Sequence, residues 1–353
     1  MKMKNAAVVA AFMASHAHAQ SSVTLYGITD AGLNFDRGGP KGAVAGFGTG
    51  MQYGDRLGFL GSEDLGGGLK AIFKLESGFN IGTGAFQQSG ALFGRQAIVG
   101  VSGQAGSLTA GRQLTALNDV LSTIDPMGTG LAGGAQNLMA QGGTPTNNGN
   151  GNRINNAIAY VTPNDLYGFY SKLVYAFGGV AGNFKAARTL DGNVRYSRGP
   201  LGIDIAYDSV TNAAGSSASH TTLFDVSYDF KYVQAVAAYA INKNAFTGGT
   251  YTPLKDSRSV LAGLTIPIGL QSVRASFIEN RDHSGSGQDA HQFALAYLYN
   301  MSKTTTFYTS WARISNAKAS IVGNAGGFFT VGGGYGDSGG GNMAFNVGMS
   351  HRF

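Results

Sequence analysis

The stretch LGIDIAYD, residues 201–208, decides the fold class. Leu201, Ile203, Ile205 and Tyr207 alternate with Gly202, Asp204, Ala206 and Asp208. Successive side chains of an extended chain point to opposite faces, so one face here is apolar and the other carries two carboxylates. The spacing predicts a strand with one polar face. The same period continues along the chain. Phe224, Val226, Tyr228 and Phe230 alternate with Asp225, Ser227 and Asp229. Val260, Ala262, Leu264 and Ile266 follow, then Val273, Ala275 and Phe277 against Ser272, Arg274 and Ser276. Phe293, Leu295, Tyr297 and Tyr299 form another such face, and Met343, Phe345, Val347, Met349, His351 and Phe353 the last.

Composition narrows the class further. Only 12% of the 353 residues are charged, about half the ~25% usual in a soluble chain. Such a chain has little with which to cover a wet surface. The 37 Phe and Tyr residues argue against disorder. A soluble sandwich turns its apolar faces inward and shows charge outward. A membrane barrel inverts this, with apolar side chains toward lipid and polar ones toward a wet lumen. Closure satisfies every backbone donor and acceptor, which lipid cannot do.

Short connections fall at 62–68, 102–106, 162–166, 197–200, 229–231, 267–269 and 300–303. Longer ones rich in Gly, Asn and Ser lie between them, such as 34–50 and 314–341. Seven short turns plus the gap between chain ends predict about 16 strands in an up-and-down meander. The expected fold is all-β, a 16-stranded antiparallel transmembrane β-barrel with short periplasmic turns and long external loops, in one domain over 20–353.

The N-terminus reads as an export signal. Lys2 and Lys4 precede an apolar run over 6–14, and Ala17-His18-Ala19 forms an A-x-A cleavage site, placing the signal at 1–19. No later apolar run approaches the ~20 residues of a spanning helix. The formal net charge of +6 falls to about +4 once Lys2 and Lys4 leave with the signal.

Three long stretches resemble a known family. SSVTLYGITDAGLNF (21–35), RLGFLGSEDLGGGLKAIFKLESGF (56–79) and LFGRQAIVGVSGQAGSLTAGRQ (92–113) are similar to the trimeric general porins of the β-proteobacterial outer membrane. The terminal GMSHRF resembles the assembly signal of such proteins, with Phe353 at the free carboxyl end. The resemblance implies a homotrimer in outer-membrane lipid and lipopolysaccharide, passing small ions and hydrophilic solutes. It also implies that the third long loop, 113–152, folds inward as a constriction. LNDVLSTIDP within it places Leu117, Val120, Leu121 and Ile124 at helical spacing, ending before Pro126.

The residues expected at the constriction are charged. Arg56 faces the polar side because Leu57 and Phe59 point the other way. Arg153 opens a strand in which Ile154, Ile158 and Tyr160 form the lipid face. The strand carrying Arg95 alternates poorly. The resemblance implies a basic cluster, and these three arginines match it by motif. Lys70 and Lys74 share one face with Glu76. Arg112 falls by strict alternation on the face of Leu108 and Ala110, so only a strand end or bulge would bring it inward. Asp119 and Asp125 lie on the loop, which is expected to press against the arginine wall; facing the arginines, they would weaken an anion preference. Against this reading, each lumen arginine could be neutralised by a carboxylate. A ring of like charge sets ion preference in a narrow pore.

Other chemistry finds little support. His220, His283, His291 and His351 have no zinc-hydrolase spacing, no G-x-S-x-G occurs, and GGGYGDSGGG lacks the ending of a phosphate loop. Asp282 and Asp289 lack EF-hand spacing. With no Cys, thiolate metal sites and nucleophiles are excluded. No enzyme, cofactor, metal site or nucleic-acid partner is expected. The chain is too short for a plugged 22-stranded transporter. The rival is a substrate-specific channel for sugars or organic acids, which would line its lumen with aromatics; Tyr170 and Tyr232 are the candidates.

Overall fold

The computed structural model describes residues 21–39, 42–128, 130–139, 152–163, 166–244, 256–285, 287–317 and 342–353. The expected signal at 1–19 lies outside them, as do residues 318–341. Seventeen β-segments are present in chain order: β1 (Ser22–Gly39), β2 (Gly42–Thr49), β3 (Arg56–Gly66), β4 (Leu69–Gly78), β5 (Gln96–Gly103), β6 (Gly106–Leu114), β7 (Arg153–Val161), β8 (Phe169–Ala176) and β9 (Thr189–Arg198). They continue as β10 (Leu201–Thr211), β11 (Ala218–Asp229), β12 (Gln234–Lys243), β13 (Ser257–Ile268), β14 (Gln271–Asp282), β15 (Ala290–Asn300), β16 (Thr305–Asn316) and β17 (Met343–Arg352).

Seventeen segments make 16 strands, because β2 and β3 are two halves of one crossing. Both lie along β1: Ala31 to Asp36 pair with Thr49 to Val44, and Ser22 to Ile28 pair with Ser62 to Arg56. The insertion 50–55 separates the halves. Every neighbouring pair is antiparallel, and β1 closes the sheet on β17 from Ile28↔Arg352 to Arg37↔Met343. Stretch 34–50, expected as a loop, is instead a hairpin that turns at Gly39↔Gly42. Its glycines hide the alternation, since they contribute no side chain to either face.

Alternation runs as the membrane reading requires. Asp204 and Asp208 are 2% and 3% exposed, while Ile203 and Ile205 are 41% and 47% exposed. A soluble fold would have the reverse. Aromatic pairs gather beside the short turns, Phe169 with Tyr196 and Tyr228 with Phe230, at centroid distances of 4.9 and 4.6 Å. Rings with one wet end suit that interface. No described helix is long and apolar enough to cross a membrane.

Strict period two fails in one place. The β6–β7 register shifts between Gly111 and Gln113, and opposite it Asn156 takes φ 53°. An extra residue in a ladder reverses the faces beyond it. Ile154, expected toward lipid, is therefore buried inside, while Ile158 and Tyr160 remain outward.

At the seam, the Phe353 ring lies over Gly27. A Cβ on Gly27 would stand 2.3 Å from Phe353 Cζ and 2.8 Å from the Arg56 carbonyl oxygen. Gly46 has open space around it. Gly27→Leu should therefore lower the barrel's unfolding free energy by about 1–3 kcal/mol through overpacking. Gly46→Ala should leave it nearly unchanged. Urea unfolding of protein refolded into lipid vesicles, read by the heat-modifiable gel shift, checks both.

Candidate functional site

A cavity of about 960 Å³ occupies the middle of the lumen. Among the described residues its lining carries five guanidinium groups, Arg56, Arg95, Arg112, Arg153 and Arg274, and one carboxylate, Asp125. The first four stand on the wall formed around β3 to β7. The fifth comes from β14 across the lumen.

Arg56 is placed by the insertion 50–55. Asp30, fully buried, accepts hydrogen bonds from the N–H groups of Met51, Gln52 and Tyr53 at 3.2, 2.9 and 2.7 Å, and from the Tyr308 hydroxyl at 2.5 Å. Asp55, also fully buried, accepts from the Asp30 N–H at 2.5 Å and from the Thr49 hydroxyl. A buried carboxylate is tolerable only with such donors. Together they fold the insertion into a shelf at the lumen edge, and Arg56 leaves it with Nε donating to the Gly54 carbonyl at 2.9 Å.

Arg95 immediately precedes β5, so the poor alternation of its segment has a local cause. Its Nε meets Glu76 Oε1 at 2.8 Å. Glu76 also accepts from the Tyr26 hydroxyl at 2.7 Å and pairs with Lys74 at 3.6 Å. The Lys74 ammonium lies 5.7 Å from the Tyr26 ring centroid. Arg95 is thus ion-paired with a carboxylate. Lys74 supports it from below, and neither Lys74 nor the exposed Lys70 lines the cavity.

Arg112 lines the cavity beside the β6–β7 register shift. Gly111 has φ +127°, and a Cβ there would stand 2.0 Å from the Ala97 carbonyl oxygen. Only glycine fits. Arg112 then donates from Nε to the Gly94 carbonyl at 2.7 Å and from Nη1 to Asn155 Oδ1 at 2.5 Å. Arg153 Nε donates to the Arg95 carbonyl at 3.0 Å, so backbone oxygens orient three of the four guanidiniums.

The loop after β6 enters the barrel as α1 (Ala116–Ile124). Thr115 caps it, accepting from the Asn118 N–H at 3.2 Å, and Asp191 of β9 accepts from the N–H groups of Ala116 and Leu117 at 2.5 and 3.2 Å. A carboxylate facing a helix N-terminus satisfies its open donors and opposes its dipole. Leu117, Val120, Leu121 and Ile124 are buried together with Ala206, Leu223, Ala238 and Leu261 of the inner wall. Asp119 forms an ion pair with Lys172 at 2.6 Å and does not line the cavity. Asp125 does, but its two oxygens accept from the Met127 and Ala135 N–H groups at 2.9 and 2.7 Å.

Beyond α1 the loop follows the wall further. Arg274 Nη1 donates to the Pro126 carbonyl at 2.9 Å, Gln292 Nε2 to Gly133 O at 2.7 Å and Ser259 Oγ to Leu138 O at 3.0 Å. The loop is therefore fastened to β8 through β16, opposite the arginine wall that it was expected to press against. At Gly130 it comes against the shelf, where a Cβ would stand 2.1 Å from the Gln52 carbonyl oxygen. Small and apolar residues at inward positions of β10 to β16 form its landing. They interrupt the polar face and are the signal that would have placed the loop. Arg274, read only as part of a polar face, is the lining residue that sequence reasoning missed. Tyr170 stands inward on β8 and Tyr232 is exposed beyond β11. Among the described residues no three His, Asp or Glu side chains are grouped to hold a metal.

Comparison with known proteins agrees with this architecture. Residues 6–319 match the family described as Gram-negative porin. An outer membrane porin protein of Bordetella pertussis is 32% identical, the match covering 90% of this chain and 97% of that protein. Outer membrane porin protein 32 of Delftia acidovorans is also 32% identical, over 99% and 100%. The solved anion-selective porin from Comamonas acidovorans superposes with a TM-score of 0.78 at 29% identity, covering 95% of this chain and all of that one. The loop-deleted OmpT of Vibrio cholerae, at 0.66 and 15% identity, shares the fold. The chain belongs to the Gram-negative porin family, and is an outer-membrane β-barrel channel.

Asp191 ties the N-terminus of α1 to the wall through two backbone N–H groups. Asp191→Ala should weaken the docking of α1 by about 1–2 kcal/mol. The expected readouts are faster proteolysis within 115–139 and noisier single-channel currents. Cleavage at the unsubstituted rate with equally quiet currents would mean that other contacts fix the helix.

Proposed function

We propose that the protein is a trimeric general diffusion pore for ions and small hydrophilic solutes, water-filled and anion-preferring. The carrying observation is the imbalance around the cavity: five arginines line it, and Asp125, its carboxylate, is engaged by backbone donors. A narrow passage with low-dielectric walls focuses such a field on the passing ion. Groups within a Debye length of about 8–10 Å act on that ion together. The similar Comamonas acidovorans protein is an anion-selective porin, which accords with the same preference. Residues 1–19 are proposed to direct export and to be cleaved, and 113–152 to be the constriction loop. Lys70 lies outside the cavity and is assigned a minor part.

Replacing Arg56 and Arg153 together with Gln should shift the zero-current potential toward cations. The anion-to-cation permeability ratio should fall at least about threefold in low salt, where screening is weakest. Glu76→Gln removes the counter-charge of Arg95 and Lys74 and should move the potential the other way. Planar-bilayer recordings in a salt gradient read both, and an unmoved potential in the double variant would show that these arginines do not set the preference. Deleting Phe353, proposed as the assembly signal, should reduce the protein reaching the outer membrane. Immunoblots of membrane and periplasmic fractions check this, and unchanged levels would oppose it.

A further inference from the structure

One neighbouring pair of strands lacks what the others have. Each other pair is consecutive in the chain, β2 and β3 counting as one crossing, whereas β1 and β17 stand at its two ends. A pair tethered by its own connection re-forms after a local opening, because the partner stays close. An untethered edge has only its contacts, and an open edge in a sheet is a liability. The ladder of this seam ends where Gly27 and Phe353 exchange backbone hydrogen bonds at 3.0 and 3.1 Å.

The seam is also bridged from inside the barrel. The terminal GMSHRF has two faces: Met349, His351 and Phe353 alternate with Gly348, Ser350 and Arg352. The shelf at 50–55 meets the second of these faces. Ser350 Oγ donates to Gln52 Oε1 at 2.9 Å, and the Arg352 guanidinium lies 4.5 Å from the centroid of the Tyr53 ring. Gly348 leaves room for a further tie. Tyr308 of β16 reaches across β17 to the Asp30 carboxylate of β1, and a Cβ on Gly348 would stand 2.7 Å from Tyr308 Cζ. That same carboxylate gathers the N–H groups of Met51, Gln52 and Tyr53, so the shelf, β1 and β16 meet at one group. Asp30, Gln52, Tyr308 and Ser350 are all buried. Hydrogen bonds shielded from water are costly to open, since their donors and acceptors lose one partner before gaining another. The shelf itself is continuous with β2 and β3, both paired to β1. It is an arm of the N-terminal side of the seam that holds the C-terminal side.

We propose that the shelf is an intramolecular latch on the barrel seam, with the chain's own last strand as its ligand. Gln52 and Tyr53 grip Ser350 and Arg352, and Tyr308 with Asp30 straps β17 between β16 and β1. Ser350, Arg352 and Tyr308 do not line the lumen cavity, so the latch stands apart from the anion preference.

The test follows urea unfolding of the whole protein refolded into lipid vesicles, read over time by the heat-modifiable gel shift. Ser350→Ala with Arg352→Gln should raise the unfolding rate about 5–20-fold, the order expected from losing one hydrogen bond and one cation–π contact. Tyr308→Phe, outside the terminal segment, should raise it about 3–10-fold, and reads the latch by itself if the double variant does not refold. Cross-links separate a latch from a general loss of stability. Leu33 and Val347 are opposed across the seam, and Ala262 and Phe277 across β13 and β14. The chain has no Cys, so Leu33→Cys with Val347→Cys gives a single seam cross-link, and Ala262→Cys with Phe277→Cys a control. The seam cross-link should remove the difference between each latch variant and its cross-linked parent. The control cross-link should leave that difference in full. Unfolding at the parent rate in the latch variants would overturn the proposal. So would rescue by both cross-links alike, or by neither.

Discussion

The structure depends on one constraint: within lipid, each backbone N–H and C=O must find its partner inside the protein. A sheet meets that condition only by closing, and β1 closes on β17 over ten register pairs from Ile28↔Arg352 to Arg37↔Met343. Once closed, the outer face must be apolar and the inner one is free to be polar. That inversion lets a chain with 12% charge remain folded. It also hollows the molecule, so anything that narrows the channel must be brought inside and held there.

Holding something inside a wet lumen takes directional bonds. Among the described residues, buried carboxylates secure two of the segments that line the lumen cavity, the shelf at 50–55 and the loop that begins with α1. Asp30 and Asp55 gather the shelf's backbone donors, Asp191 caps α1, and Asp125 closes the turn after it. These acids carry negative charge near the pore, but their oxygens point at N–H groups of the inserted segments. Among the arginines opposite, Arg56, Arg112 and Arg153 each donate from Nε to a backbone carbonyl. A carbonyl orients a guanidinium without cancelling its charge, whereas Glu76 does cancel part of the charge of Arg95. The cavity's cationic character thus follows from which partners the two signs of charge have been given.

How far the sequence revealed this varies with the physics involved. Strands such as β10 and β13 were legible because lipid and lumen impose opposite polarities on a period of two. β2 was not, since GAVAGFGT offers too few side chains to show a period. Arg56 could be aimed from Leu57 and Phe59, and α1 from the spacing of Leu117, Val120, Leu121 and Ile124, whereas the aim given to Arg153 rested on an outward Ile154 that is in fact buried. The bulge at Asn155 and Asn156 of β7, opposite Arg112, escaped, because a single extra residue leaves no mark in a hydrophobicity pattern. Ile154 was misassigned for the same reason. The loop's wall and Arg274 depend on contacts between residues far apart in sequence, Pro126 and Arg274 among them. Local pattern holds no record of such contacts, although inward Ala206, Leu223 and Ala238 hinted at a covered patch.

The direction of α1 completes the electrostatic arrangement. A helix carries partial positive charge at its N-terminus and partial negative charge at its C-terminus. Here the N-terminus is turned to the wall, against Asp191, and the C-terminal end at Ile124, Asp125 and Pro126 lines the cavity. Left alone, that end would set negative charge against the arginine wall and split the passage into two signs. Arg274 donates to the Pro126 carbonyl at 2.9 Å, while Asp125 is engaged by Met127 and Ala135. A cation supplied by the far wall therefore offsets the helix end where it meets the pore. In the proposed pore the loop would narrow the lumen without reversing its sign, because β14 brings the compensating charge to the point where α1 stops.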